Sequence, residues 1–208
     1  MILAIGLLIS QVLFGYTLVS WANIKASQLE RFLYSIVSGI MVGSWVLFIL
    51  QMFLELNAVS IFLSIIILVI ASYKTIRKYS FIKLSQHRKI KLEIIKKQAK
   101  ENKFVVVFFI ALFVILSFLN YTHNLEPKQD GLYSGRNNWG DLAGHLSMIM
   151  TFVENANKNL EHPLYAYRQI SYPFLFNFFT ASLVSGGLPI REALLLPGIV
   201  LAMTIFLL

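Results

Sequence analysis

The sequence predicts an all-α polytopic membrane protein with five to six transmembrane helices. Of its 208 residues, 57% are hydrophobic and only 13% are charged, and its mean hydropathy of +0.70 is far above that of a soluble domain. The apolar residues fall in long runs without internal charge. A helix of about 20 apolar residues crosses a hydrocarbon core of roughly 30 Å, and a lipid-exposed backbone must satisfy its own hydrogen bonds, so the runs are predicted to be helices.

Six apolar runs are candidate spans. Three form an N-terminal group within residues 1–73, at 1–22, 32–54 and 56–73. A fourth covers 104–121, and apolar character returns at 173–188 and 193–208 as two spans or one broken span. The first run is a retained helix rather than a cleaved signal peptide, because its first basic residue, Lys25, follows the apolar core.

The distribution of lysine and arginine predicts the orientation. Residues 74–103 contain eleven basic and two acidic residues, whereas residues 120–172 contain four basic and five acidic ones. Basic loops stay in the cytoplasm, so the N-terminus and residues 121–172 are predicted to be extracytoplasmic in a multi-pass protein of the plasma membrane. The basic segment 74–103 is predicted to be an amphipathic helix that binds anionic lipids. Because the net charge of +8 comes from this segment, it does not indicate a nucleic-acid partner.

Several kinds of site are excluded by residue type. The chain has no cysteine, so it forms neither disulfides nor thiolate metal sites. It also lacks a glycine-rich phosphate loop, a nucleophile-elbow serine and an HExxH motif. Three of the four histidines and half of the ten acids lie between residues 120 and 172, so candidate chemistry is expected in this polar segment.

The polar segment divides into a loop and a helix. Pro127, Gly131 and Gly135 predict a loop over residues 126–138. A helix then begins near Trp139 or Asp141, with apolar residues at helical spacing that suit a helix along the membrane surface: Leu142, Leu146, Ile149 and Val153.

Asp141 has two interpretations at this point. Asp141 and His145 are four residues apart and therefore share a helix face. A carboxylate near a helix start is typical of an N-cap that pairs with the histidine. The alternative is an acid at the membrane–water boundary near Arg136, which acts as a general base or binds a divalent metal cation.

The order of motifs in the second half of the chain resembles a known superfamily. Trp139-Gly140-Asp141 and His145 are followed by a surface helix, by the stretch 161–166 (EHPLYA), and by Ser171-Tyr172-Pro173 at the start of an apolar run. This order resembles the first external loop of GT-C-fold membrane glycosyltransferases, which take sugars from polyprenyl-phosphate donors. The resemblance covers about residues 104–208.

The resemblance implies roles for particular residues. Asp141 corresponds to the acid that deprotonates an acceptor hydroxyl, in some members with a divalent metal, and His145 orients it or contacts the donor phosphate. The residues implied in substrate binding are Arg136, Glu161, His162, Arg168 and Tyr172. Snorkelling of the arginines and a turn role for Glu161 and His162 are the alternatives. Many members have paired acids where this chain has one, which leaves metal dependence open.

Two functional classes follow from the sequence. The resemblance implies the N-terminal portion of a longer glycosyltransferase, inactive as an isolated chain because half the donor groove is missing. The alternative is a non-catalytic polytopic scaffold or transporter component. The predicted spans contain no internal ionisable residue, which argues against ion-coupled transport.

Overall fold

A computed structural model describes residues 1–80, 103–135, 139–155, 157–165, 167–171 and 173–208. This part contains seven helices: α1 (Ile2–Trp21), α2 (Gln28–Leu54), α3 (Ala58–Ser80), α4 (Lys103–His123), α5 (Trp139–Asn155), α6 (Leu175–Ser185) and α7 (Ile190–Leu207). It also contains two short strands, β1 (Glu126–Lys128) and β2 (Gly131–Tyr133). The predicted amphipathic helix of the basic segment falls mostly on residues 81–102, which lie outside the described residues.

Five of the described helices are long and apolar enough to cross a membrane. They are α1, α2, the first part of α3 (Ala58–Thr75), α4 and α7. The prediction of a multi-pass, predominantly α-helical protein is confirmed at this level. Helix α6 has eleven residues, and at a rise of 1.5 Å per residue it is roughly 16 Å long, about half the thickness of a hydrocarbon core. The apolar run 173–188 is therefore a short helix and not a sixth span.

Helices α1 and α2 approach each other closely at glycines. A Cβ atom on Gly39 of α2 would overlap the backbone carbonyl of Gln11, and one on Gly15 of α1 would overlap the backbone carbonyl of Ser35. Gly43 lies one turn beyond Gly39 and faces the Gln11 side chain. Small residues four apart allow membrane helices to pack backbone against backbone, and this contact joins the first two spans.

Several helix ends meet at one end of the bundle, here called the polar end. Lys158, just after α5, lies 3.7 Å from Glu55 at the end of α2. Arg191, in the first turn of α7, donates from Nε to the carbonyl of Leu125, just after α4, at 2.9 Å. The polar segment between α4 and α6 therefore sits where α2 and α4 end and α7 begins.

Helix α6 extends from the polar end into the bundle without crossing it, and its first residues, Leu175 and Phe176, lie beside Met41 of α2 and Leu201 of α7. The N-terminal ammonium of Met1 donates to the carbonyl of Gly186, directly after α6, at 2.8 Å. Phe174, directly before α6, packs on Phe48 of α2 with ring centroids 5.1 Å apart. The start of α1 is thereby placed at the same end.

Helix α5 begins at Trp139, as predicted, and its apolar stripe packs against α6. Leu142 and Ile149 of the predicted stripe are buried, and Leu146 and Val153 are half-buried. Phe152 is fully buried and meets Phe178 of α6 edge-on at 5.3 Å. The partner of the stripe is thus another helix of the same chain.

Residues 126–133 form a small hairpin where a loop was predicted. Strands β1 and β2 pair antiparallel, with Glu126 opposite Tyr133. Pro127 and Gly131 are both unfavourable in strands. All six strand residues are exposed, so the sequence has no alternating apolar pattern that would predict the hairpin. The Tyr133 hydroxyl donates to Asp130 at 2.7 Å, and this hydrogen bond raises the pKa of Tyr133.

The backbone of Glu55 is strained. Its φ of 64° and ψ of 166° lie in a region that glycine adopts freely and other residues avoid, at a cost of about 1–3 kcal/mol. We expect Glu55→Gly to be more stable to unfolding than Glu55→Ala by about 1 kcal/mol or more. Both variants lose the carboxylate that pairs with Lys158, so thermal unfolding of the two in detergent isolates the backbone effect. Equal stability would mean that this strain is absent.

Candidate functional site

A cavity of about 250 Å³ opens at the polar end between α4, α5, α6 and α7 and is here called the Asp141 cavity. Its polar lining residues are Asn120, Asn124, Asp141 and His145. The remaining wall is apolar and consists of Leu142, Phe176, Leu194, Leu195 and Gly198. A cavity with a polar part and an apolar wall suits an amphiphilic ligand.

Asp141 lies in the first turn of α5 and is exposed. Since the helix begins at Trp139, Asp141 is inside the helix and is not the residue that precedes it, which removes the simple N-cap interpretation. The positive end of the helix dipole stabilises a carboxylate at this position. Asp141 is thus an accessible acid on the wall of the cavity.

His145 is oriented by a buried amide. Its Nδ1 lies 2.9 Å from Oδ1 of Asn177, and because a carboxamide oxygen only accepts, Nδ1 is the donor. In the neutral imidazole this makes Nε2 the unprotonated nitrogen. Asn177 is 1% exposed, and its Nδ2 also donates to Sδ of Met148 at 3.2 Å. The side chain of Asn177 therefore ties α6 to α5 at the candidate site.

Asn177 is a site residue that the sequence analysis does not single out, although the sequence contains a signal for it. It is a carboxamide within an otherwise apolar run, and buried polar groups are retained where they have partners.

Replacement of Asn177 by leucine is expected to lower the free energy of unfolding by about 1–3 kcal/mol, since His145 loses a buried partner. Thr180→Val is the matched control: Thr180 is also buried on α6, and its hydroxyl has no hydrogen-bond partner among the described residues. Thermal unfolding in detergent should show a clear loss for the first variant and little change for the second. The reverse order would contradict a stabilising role for the amide.

Arg191 is a second residue that the sequence did not single out for a site. Its Nη2 donates to the carbonyl of Tyr121 at 3.2 Å, and its guanidinium lies 4.4 Å from the centre of the Tyr121 ring. Leu194 and Leu195, which line the Asp141 cavity, lie one turn after Arg191 on α7. The two carbonyls that Arg191 contacts belong to the residues that directly follow Asn120 and Asn124 of the cavity lining. Arg191 does not itself line the Asp141 cavity, and its guanidinium is held next to residues that do.

Glu161 and His162 lie apart from the Asp141 cavity. They line a second cavity, here called the polar cavity, of about 710 Å³. Their loop is closed where the backbone N–H of His162 donates to the carbonyl of Arg168 at 2.7 Å. The structure thus brings Asp141 and His145 together, and it places Glu161 and His162 at a different cavity.

Of the other three predicted site residues, the structure describes Arg168. Arg168 is exposed and lines neither of the two cavities. Arg136 and Tyr172 lie outside the described residues.

The divalent metal that the sequence predicts at Asp141 stays a prediction. Within the described ranges, no group of three or more histidine, aspartate or glutamate side chains is placed to hold a metal ion. Asp141 and His145 are the ionisable side chains among the cavity-lining residues, and one carboxylate can hold Mg²⁺ where water and substrate phosphates complete its coordination.

Comparisons with known proteins leave the chain without an assigned relative. No protein-family model matches it, and neither a curated protein nor a solved structure is significantly similar. The fold and the cavity define a class of protein: a multi-pass α-helical membrane protein whose bundle has, at one end, a cavity with a polar part and an apolar wall.

Proposed function

We propose that the chain is the N-terminal part of a membrane glycosyltransferase, which moves a sugar from a polyprenyl-phosphate donor to an acceptor hydroxyl outside the cytoplasm. The observation that carries the proposal is the Asp141 cavity: an accessible carboxylate and an oriented imidazole lie beside an apolar wall. A lipid-linked sugar needs both surroundings, because its phosphate and its hydrocarbon chain meet at the membrane boundary.

The orientation is part of the proposal. The basic residues of segment 74–103 favour a cytoplasmic position for the opposite end of the bundle, in a protein that we propose lies in the plasma membrane. The polar end carries the start of α1, the end of α2 and the end of α4, and the alternation of successive spans agrees with one outward-facing end. This agreement supports an extracytoplasmic site.

In the proposed reaction, Asp141 accepts the proton of the acceptor hydroxyl while the hydroxyl oxygen attacks the anomeric carbon of the donor sugar. The bond between that carbon and the phosphate oxygen breaks, and polyprenyl phosphate leaves with the electron pair. His145 orients the acid or donates to the phosphate from Nε2 in its imidazolium form, since Nδ1 already donates to Asn177. Arg191 screens the charge that develops on the leaving phosphate, because a guanidinium interacts well with phosphate oxygens.

A specific observation favours the second candidate function, a non-catalytic scaffold or transporter component. No described residue of α4 is buried, and its helix contacts are with α7. Such a helix offers most of its surface to another membrane helix, as an assembly component would.

Sugar transfer by the full-length protein separates the two functions. Membranes that contain it should transfer a labelled sugar from a polyprenyl-phosphate donor, and membranes without it should not. Equal transfer in both membranes would contradict the proposal and favour the scaffold, and transfer only from a nucleotide-linked donor would contradict the polyprenyl-phosphate donor.

A further inference from the structure

The polar cavity is a second candidate binding site. It lies between the α2–α3 turn, the C-terminal part of α5 and residues 157–163, and seven of its eight lining residues have polar side chains. Its volume of about 710 Å³ is within the range of about 300–1,000 Å³ that is usual for small-molecule sites.

Hydrogen bonds hold the wall of the polar cavity in place. Asn157 is 7% exposed; its amide donates to the carbonyl of Glu161 and accepts from the N–H of the same residue, both at 2.8 Å. The contact between His162 and Arg168 closes the following loop. The wall is therefore formed before any ligand arrives.

The opposite wall contains Glu55, the residue with the strained backbone. Its carboxylate reaches Lys158 and lines the cavity. Strained residues are found where a side chain must be held in a particular place. The strain and the polar lining thus occur at the same cavity.

The lining chemistry selects the class of ligand. Two carboxylates face one ammonium, so a phosphate or carboxylate ligand would be repelled. An apolar ligand would strip water from many polar groups at a cost. The lining offers both donors and acceptors, from Thr151, Asn159 and His162 among others, and hydroxyl groups can use both. A neutral, hydroxyl-rich ligand fits best.

We propose that the polar cavity binds a neutral saccharide, which, if the proposed function holds, is part of the acceptor. Thr151 lines this cavity and is ten residues after Asp141 on the same helix, which corresponds to about 15 Å along the axis. An acceptor that occupies the polar cavity and presents a hydroxyl to Asp141 must span that distance. The acceptor is therefore an oligosaccharide rather than a single sugar.

Photo-crosslinking in native membranes tests this inference. The photoreactive residue benzoylphenylalanine replaces Asn159, which is exposed at the cavity edge, in the full-length protein. The control position is Lys128 on the hairpin, which is also exposed. Adducts are analysed by periodate oxidation with hydrazide staining and by mass spectrometry. We expect saccharide adducts at position 159 and none above background at position 128.

Variants of the cavity wall identify the site. Glu161→Leu should lower the yield of saccharide adduct at position 159 by about tenfold, since a hydrogen-bonding wall group is lost. Glu126→Leu, the same change at an exposed position on the hairpin, should leave the yield unchanged. Equal yields in the two variants, adducts with lipid or protein alone, or no adduct at position 159 would overturn the inference.

The same experiment separates this inference from the proposed function. Saccharide adducts should persist in Asp141→Asn, because binding does not require transfer. If the full-length protein transfers no sugar and the adducts still form, the saccharide site stands and its acceptor role falls. If transfer occurs and no saccharide adduct forms, the glycosyltransferase stands and this cavity is not its acceptor site.

Discussion

Asp141→Asn in the full-length protein is expected to lower sugar transfer by about 10²- to 10⁴-fold, the usual contribution of a general base. The carboxamide has nearly the shape of the carboxylate but cannot take a proton from the acceptor. Because Asp141 is exposed, the amount of protein in the membrane should not change. Initial transfer rates, normalised to protein level by immunoblot, measure the effect.

Asp130→Asn is the matched control for this experiment. Asp130 lies in the hairpin turn at the polar end, accepts a hydrogen bond from Tyr133 and does not line the Asp141 cavity. Its replacement should leave the transfer rate within about twofold, since surface substitutions have small effects. Equal rates for wild type and Asp141→Asn would assign the carboxylate a structural role in the first turn of α5.

Gly39→Ala is expected to lower the free energy of unfolding by roughly 3 kcal/mol, at the upper end of the usual cost of overpacking. The added Cβ would overlap the backbone carbonyl of Gln11, and a backbone atom cannot move aside unless α1 separates from α2. Unfolding of the purified chain in mixed micelles, followed by circular dichroism, measures the loss.

Gly198→Ala is the control for the glycine contact. Gly198 lies in α7, another membrane-crossing candidate, and a Cβ there meets no atom within 4 Å. This substitution should be neutral or stabilise by up to about 1 kcal/mol, as alanine is the better helix former. If the Gly39 variant were as stable as the Gly198 variant, α1 and α2 would not be in close contact at Gly39.

The sequence predicts most of the helices, because a membrane span is set by the length of an apolar run. It does not predict that α6 enters the bundle from the polar end without crossing it. That position depends on the contact between Met1 and Gly186, 185 residues apart, and on the packing of Phe174 against Phe48. Neither contact leaves a local pattern. The glycines four apart on α2 are a sequence signal that predicts close helix packing.

The candidate site is predicted in part for the same reason. Asp141 and His145 share a face of one helix, so their spacing brings them to the same cavity. Asn177 reaches His145 across 32 positions, and Arg191 contacts the end of α4 across 66, so tertiary packing decides both. Glu161 and His162 follow soon after in sequence, yet α5 carries the chain away from Asp141 and into a different cavity.

The proposed site requires Asp141 to meet a polyprenyl phosphate at the outer boundary of the membrane. These 208 residues contain no cysteine, so Asp141→Cys introduces a single thiol among them. In intact cells, a membrane-impermeant maleimide should label this thiol, and added polyprenyl phosphate should slow the labelling several-fold. Labelling only after the membrane is permeabilised, or a labelling rate that polyprenyl phosphate leaves unchanged, would contradict the proposed site.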